Sequence, residues 1–385
     1  MQQHNSKYED EEVVQRKREA RRKEHVQKEI NKLLESFPSL AQYYELVDRT
    51  GSGTFSKVYK AKDLLKDQYV DWTKDLDQLN GINQDYVAIK LIMDTSSPAR
   101  MASEIKCLQE LRSSAGITPL ITAFRNDSTL FIVLPFIECD HFDEFFTSMT
   151  VADIKCYIKK LLVGLQSTHA KGIMHRDVKP GNFLYNTKTK DGYLADFGLA
   201  QKVDPQPKIH AVNSILSNES INQNGEAGYF MNDTRPSIQA DRSGTRGFRA
   251  PEVLLRYKYQ TTAVDIWAVG VILLSFLSGR YPFFEPEDDA DALVELAHLF
   301  GLKKLTEFTN FYGLTMRTNI PTIPEEELDL ATFCQEINQN GIKKWEQKEY
   351  HQAVDLMKKC LELIHTKRPT ASEALNHPFL KCDSS

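Results

Sequence analysis

Three observations predict an α+β fold of two packing units, a small antiparallel sheet followed by a larger, mainly helical lobe. The chain has 385 residues, enough for two or three units at about 150 residues each. Strand-like runs fall in its first third, and helical periodicities dominate after residue 150. Such segregation argues for two lobes, and ligand clefts favour the boundary between them. Composition adds exclusions. A hydrophobic fraction of 41% with 26% charged residues is ordinary for a globular chain. The 48 basic and 53 acidic side chains leave a net charge of −5, too little to steer nucleic acid or membrane. Six cysteines are scattered without a C-x-x-C pair, which fits a reduced intracellular protein. The first thirty residues carry no apolar core, so no secretory signal is expected. The longest apolar run, 266–277, lies between Asp265 and Arg280 and reads as a buried helix.

The elements follow in order. Residues 1–40 carry nine basic and eight acidic side chains, with Val26, Ile30, Leu33, Leu34 and Phe37 near helical spacing, so a solvated helix docking by its C-terminal turns is expected. Its basic cluster, Arg16-Lys17-Arg18 and Arg21-Arg22-Lys23, fits either a nuclear-import signal or a solvated helix face. Residues 43–58 and 86–89 read as strands of one antiparallel sheet, separated by a long polar insertion. Ser97-Pro98 starts a helix with Met101, Ile105 and Leu108 on its apolar face, Glu104 on the edge of that face, and Gly116 as the stop. A continuous apolar strand covers 130–137, and helical patterns cover 151–168, 262–278, 290–300, 350–364 and 372–375. Segments 201–243 and 315–327 read as irregular.

Several clusters could carry chemistry. In Gly51-Ser52-Gly53-Thr54-Phe55-Ser56-Lys57-Val58 the two glycines let backbone amides approach a phosphate that a β-carbon would hinder. A plain turn explains the same residues, and the loop leads into a strand, which excludes a Rossmann reading. Lys90 lies on a strand otherwise built for burial and needs an anion, with Glu104 a candidate, unless it is a surface lysine at a strand end. His175-Arg176-Asp177-Val178-Lys179-Pro180-Gly181-Asn182 matches H-R-D-x-K-x-x-N at every defined position. Leu194-Ala195-Asp196-Phe197-Gly198 and Ala250-Pro251-Glu252 follow it.

In this order the motifs resemble those of eukaryotic serine/threonine protein kinases, over about residues 43–380. The resemblance implies the bilobal kinase fold: a charged helical extension at 1–40, an N-lobe at 41–137 with an insertion near 66–85, and a C-lobe at 138–385 with a long insertion near 201–243. It implies ATP and Mg2+ as cofactors. Lys90 would bind the α- and β-phosphates and pair with Glu104. Asp177 would accept the substrate hydroxyl's proton, Lys179 would neutralise charge on the transferred phosphoryl, and Asn182 and Asp196 would hold the metal. Gly51, Ser52, Gly53, Thr54, Phe55 and Ser56 would cover the phosphates. Leu134 would be the gatekeeper, Pro135, Phe136 and Ile137 the hinge, and Val58, Ala88 and Leu184 the walls around adenine, although core packing would explain each of these apolar residues. Glu252 with Arg368 would form a buried ion pair, Asp265 would hold the catalytic loop, and His175 would pack.

Within that family, Lys179 is typical of the serine/threonine class. The runs 244–254, 265–275 and 288–293 are similar to the cell-division-cycle-seven kinases, which act at replication initiation. Membership implies a dumbbell-former-four type regulatory subunit, minichromosome-maintenance helicase subunits as substrates, and a nuclear location. The 51 residues from Leu199 to Arg249 exceed ordinary connections. Ile209, Val212, Ile215, Leu216 and Tyr229-Phe230-Met231 are apolar spots on which a partner could dock, holding the Glu104 helix inward. Arg246 and Arg249 could read a carboxylate or phosphate beside the target hydroxyl, while internal pairing would explain Arg249 equally. The alternatives are a partner-independent, casein-kinase-like acidophilic kinase and a kinase-fold scaffold. A scaffold would be free to lose some of Lys90, Glu104, Asp177, Asn182 and Asp196, all of which are present.

Overall fold

The computed structural model describes residues 2–53, 56–68, 82–93, 97–126, 128–203 and 243–381. Thr54, Phe55, most of the 66–85 insertion and nearly all of the 201–243 segment, including its apolar spots, lie outside the described residues. The chain forms two compact units: Met1–Ser113 with Thr118–Glu138, and Ser114–Ile117 with Cys139–Ser385.

The first unit is a five-stranded antiparallel sheet in the order β1-β2-β3-β5-β4, from β1 (Tyr44–Ser52), β2 (Ser56–Asp63), β3 (Ile82–Ile92), β4 (Thr122–Asn126) and β5 (Thr129–Ile137). Side chains alternate between its faces. Tyr59, Ala61, Val87, Ile89, Leu91, Phe131 and Val133 join one core cluster with Val26 and Ile30 of helix α1 (Gln2–Ser36), and Leu33, Leu34 and Phe37 pack against it. The helix therefore covers one sheet face through its C-terminal turns. That leaves Val58, Ala88, Lys90 and Leu134, at the alternate positions, for the opposite face.

Three local expectations are corrected. Strand β4 was not anticipated, because Thr-Ala-Phe-Arg-Asn at a sheet edge has no continuous apolar signal. Helix α3 (Pro98–Glu110), which follows the short α2 (Leu40–Tyr43), starts at Pro98 as the sequence suggests but ends six residues before Gly116. Glu104 is buried rather than at the edge of the apolar face, since a cation within the fold meets it.

The second unit is mainly helical. Its α4 (Phe142–Phe145) is followed by α5 (Val151–Ala170), opened by a reciprocal capping box between Thr150 and Asp153. After α6 (Pro251–Leu254), α7 (Ala263–Ser278) has every residue from Val264 to Ser278 buried, as an all-round apolar helix must. The pattern predicted for 290–300 continues as α8 (Asp289–Phe311), and the predicted end falls beside Gly301, whose positive φ of 73° kinks the helix. A β-carbon at Gly301 would lie 2.4 Å from the Glu326 carbonyl carbon, so the bend lets another segment approach. No helix or strand occurs between Phe311 and Leu330, where α9 (Leu330–Ile337) begins. After the short α10 (Gln339–Ile342), α11 (Gln347–Cys360) stops before the predicted residue 364; Leu361 and Leu363 are buried but not helical. Helix α12 (Ala371–Leu375) follows, again with a capping box, from Thr370 and Glu373. Strands are not confined to the first unit: β6 (Ile173–Met174) pairs with β9 (Gln201–Lys202), and β7 (Phe183–Asn186) with β8 (Asp191–Leu194). Among the described residues no helix is long and apolar enough to cross a membrane.

Candidate active site

In the first unit, β3 carries Lys90 between its neighbours on both sides, opposite Val58 of β2 and Ile132 of β5. Alternation puts Lys90 on the face away from α1, where its Nζ donates to Glu104 Oε1 of α3 at 2.6 Å. Both side chains are nearly inaccessible, at 9% and 5%. Two charges at that depth are tolerable only as a pair. Ala88 lies opposite Leu134 in the same sheet; both are half-buried, as are Val58 and Phe136, while Pro135 and Ile137 are buried. The turn between β1 and β2 is closed by the Gly53 N–H donating to the Ser56 carbonyl at 2.8 Å.

In the second unit, the loop after β6 is braced from below. Buried Asp265 of α7 accepts the backbone N–H of His175 at 2.8 Å and of Arg176 at 2.7 Å, and its Oδ2 also lies 2.8 Å from His169 Nε2. Burial would push the Asp265 carboxyl up, but the His169 hydrogen bond and charge, with further help from His175, hold it below the usual carboxylate range. His175 is fully buried, edge-on to Phe197 at 4.8 Å. Arg176 takes a positive φ of 68° to turn the chain at Asp177.

Asp177 is the hub. Its Oδ1 accepts the Thr245 N–H at 2.8 Å and the Thr245 hydroxyl at 2.6 Å. Its Oδ2 accepts Asn182 Nδ2 at 2.8 Å and lies 2.9 Å from Lys179 Nζ, which also donates to Thr245 Oγ1 at 2.7 Å. Burial works against the charge on Asp177, but Lys179 and the Thr245 donors outweigh it and hold the carboxyl below its ordinary range. The group is ionised at neutral pH. Thr245 is a contact of Asp177 that the sequence motifs do not reveal. The sequence signal beside it is Gly244, whose φ of 111° and whose would-be β-carbon, 2.7 Å from the Arg176 carbonyl oxygen, require glycine and let this segment approach the loop.

Asn182 and Asp196 come from adjacent segments, tied by the Ala195 N–H donating to the Asn182 carbonyl at 2.9 Å. Asn182 uses its amide nitrogen toward Asp177, so its side-chain oxygen is the atom available in type to a cation; Asp196 is exposed, with Oδ1 accepting the Gly198 N–H at 3.2 Å. An amide oxygen and a carboxylate suit a hard divalent ion. Leu184, on β7, is half-buried. Glu252 and Arg368 form the expected buried fork, at 2.7 and 2.6 Å. Arg249 is engaged internally, donating to Asp289 at 2.6 Å and to the Gly244 carbonyl at 2.9 Å, while Arg246 is exposed and donates to the Glu287 carbonyl.

A lysine–glutamate pair on a sheet and its helix, together with a braced carboxylate beside a lysine and an oxygen-donor pair, is a set of parts for phosphoryl transfer. A protein kinase domain match covers residues 44–380. The chain belongs to the protein kinase family. It is 40% identical to the cell cycle serine/threonine-protein kinase hsk1 of Schizosaccharomyces pombe, over 92% of this chain and 76% of that protein. It is 39% identical to a probable cell division control protein 7 homolog of Encephalitozoon cuniculi, over 87% and 91%. Against the cell division cycle 7-related protein kinase of Homo sapiens the identity is 25%, over 92% of each. The kinase is therefore a serine/threonine protein kinase of the cell-division-cycle-seven type, with the two-lobed kinase fold, and its family uses ATP and a divalent metal.

Proposed function

We propose that this kinase transfers the γ-phosphate of ATP to serine or threonine next to acidic or phosphorylated residues. In this reading Lys90 holds the α- and β-phosphates and Glu104 fixes its direction. Gly51 to Ser56 cover the phosphates, Leu134 to Ile137 meet the adenine edge, and Val58, Ala88 and Leu184 line its faces. Asn182 and Asp196 hold Mg2+, which offsets phosphate charge when bound. Asp177 orients the acceptor hydroxyl and takes its proton. Lys179 stands against the same carboxylate and neutralises negative charge on the transferred group.

The observation that carries this reading is the Asp177 hub: a carboxylate kept ionised while anchored from three directions, by Thr245, Asn182 and Lys179. A carboxylate held in one orientation contributes by positioning as much as by basicity, roughly a hundred- to ten-thousand-fold. The test is transfer of labelled phosphate to serine peptides with acidic, phosphorylated or neutral neighbours, with Asp177→Asn as control. An array in which acidic neighbours confer no advantage removes the specificity; a variant that retains full turnover removes the mechanism.

The relatives' names, cell cycle and cell division control kinases, support a replication-initiation role in the nucleus, with a dumbbell-former-four type subunit as activator and minichromosome-maintenance helicase subunits as substrates. The activator would dock on the long insertion before Gly244. The Lys90–Glu104 pair is already closed in the chain by itself, so the subunit would keep α3 in place rather than drive it there. Deleting residues 209–237 should weaken subunit binding; unchanged affinity and unchanged activity would remove the docking idea.

A further inference from the structure

The N-terminal helix reaches the strands that carry the glycine turn through charge as well as through its apolar stripe. Glu29, on α1, places Oε2 2.6 Å from Arg49 Nη1 and Oε1 3.0 Å from Lys57 Nζ. Arg49 is on β1 just before the turn, and Lys57 is on β2 just after it. One carboxylate therefore spans both stems of the turn. Its side chain is only 20% exposed and the two cations 25% and 29%, so water screens this junction less than it would an open surface pair.

Two turns earlier on the same helix, Arg22 makes paired contacts of 3.3 and 2.7 Å with Asp48, whose Oδ1 also accepts the Arg49 N–H at 2.8 Å. Buried Val26 and Ile30 lie between and beside these anchors at helical spacing and set the register of the contact. The β1–β2 pairing needs such help where it has it. It is irregular between Arg49 and Gly51, and two glycines follow. A stem that shifts at a bulge would carry the turn with it.

We propose that Glu29 is a positioning residue that clamps the two stems of the glycine turn, making the N-terminal helix a determinant of how tightly the phosphates of a nucleotide are covered. The proposal rests on the reading that the turn covers those phosphates. A phosphate-free ligand should not sense the clamp, and a triphosphate should.

The test uses the full chain and a fluorescent ATP analogue, with adenosine as competitor. Glu29→Gln, which keeps size and loses charge, is expected to weaken the ATP analogue about three- to tenfold while leaving adenosine affinity unchanged. Glu29→Lys combined with Lys57→Glu, which restores one opposite-charge pair but sets a lysine against Arg49, should not recover the loss, because both stems must be held. Glu24→Gln, which breaks a pair within the helix only (Glu24 with Lys28, 2.7 Å), should change neither affinity. Equal weakening of both ligands, or no weakening of either, overturns the clamp. Gly53→Ala separates the two readings, because among the described residues a β-carbon there meets nothing closer than Ser56 Oγ at 3.6 Å and is expected to crowd a ligand. If Gly53→Ala weakens the ATP analogue and Glu29→Gln does not, the clamp alone fails. If Gly53→Ala also has no effect, the covering role of the turn fails with it.

Discussion

Two buried ion pairs in this kinase are built differently. Arg368 of the second unit places all five of its N–H donors: two on the Glu252 carboxylate and the rest on the carbonyls of Glu362, Ala263 and Leu363. Its guanidinium also lies over the Trp267 ring at 5.2 Å, and neither partner has any exposed side-chain surface. Lys90 of the first unit offers a compact ammonium to Glu104, with a trace of exposure on both sides. A planar fork held at every donor is a fixed joint. An ammonium on a flexible stem can keep its carboxylate while turning toward another anion. The difference separates an ion pair that holds a fold from one that can take part in chemistry.

Three variants break or sharpen that contrast. The largest expected effect on stability is Arg368→Ala, which strands the Glu252 carboxylate; a loss of about 3–5 kcal/mol should appear as a lowered midpoint in urea or thermal unfolding. Arg368→Met with Glu252→Leu should lose much less, because no buried charge is left alone. Lys90→Met should instead show itself in turnover, reduced by about a hundredfold or more, with a smaller shift in unfolding midpoint than Arg368→Ala gives. Should Lys90→Met unfold the protein as readily as Arg368→Ala, the two pairs are of one kind.

Within the second unit, Thr245→Ala removes a hydroxyl donor from Asp177 and is expected to reduce turnover by about tenfold without a large change in stability. It should also change the pH profile. The Asp177 carboxyl lies below its ordinary range in the folded protein, so its contribution to stability is complete above the unfolded value, near 3.9, and is lost as pH falls through the lower folded value. Asp177 therefore sets no limb of the rate profile between about pH 5 and 8. Losing the Thr245 donor raises that carboxyl, and the acid limb of kcat should move upward; a limb that stays in place would show that Lys179 alone holds the charge. The smallest effect is expected from Arg249→Lys, which keeps the charge opposite Asp289 but loses the bond from Nε to Gly244. A change of about 1 kcal/mol, with peptide preference unaltered, would confirm that this arginine braces the fold and does not read substrate.

The candidate residues from His175 to Asn182 were legible as a group because they sit in a short stretch of fixed spacing, where neighbours in sequence stay neighbours in space. The long apolar helices were equally plain, since α7 needs no partner pattern to declare itself buried. What sequence could not deliver came from contacts across long separations. Thr245 meets Asp177 across 68 positions, and nothing near either residue encodes the meeting except a glycine. The burial of Glu104 depends on Lys90 turning toward it, and a helical wheel sees only an acidic residue beside an apolar stripe. Strand β4, polar and at the edge of its sheet, is defined by its partner β5. Arg249 was open between two roles until Asp289 was found beside it.

The brace under the catalytic loop has a consequence for biosynthesis. His175 and Arg176 are fixed by a carboxylate 90 and 89 positions further along the chain, respectively. A nascent polypeptide that has already emerged as far as Asp177 cannot yet shape the loop around it. The ribosome must add the whole activation segment and the start of α7 first, so a prematurely terminated product ending before Asp265 would carry every residue of the H-R-D motif and still lack the means to aim it.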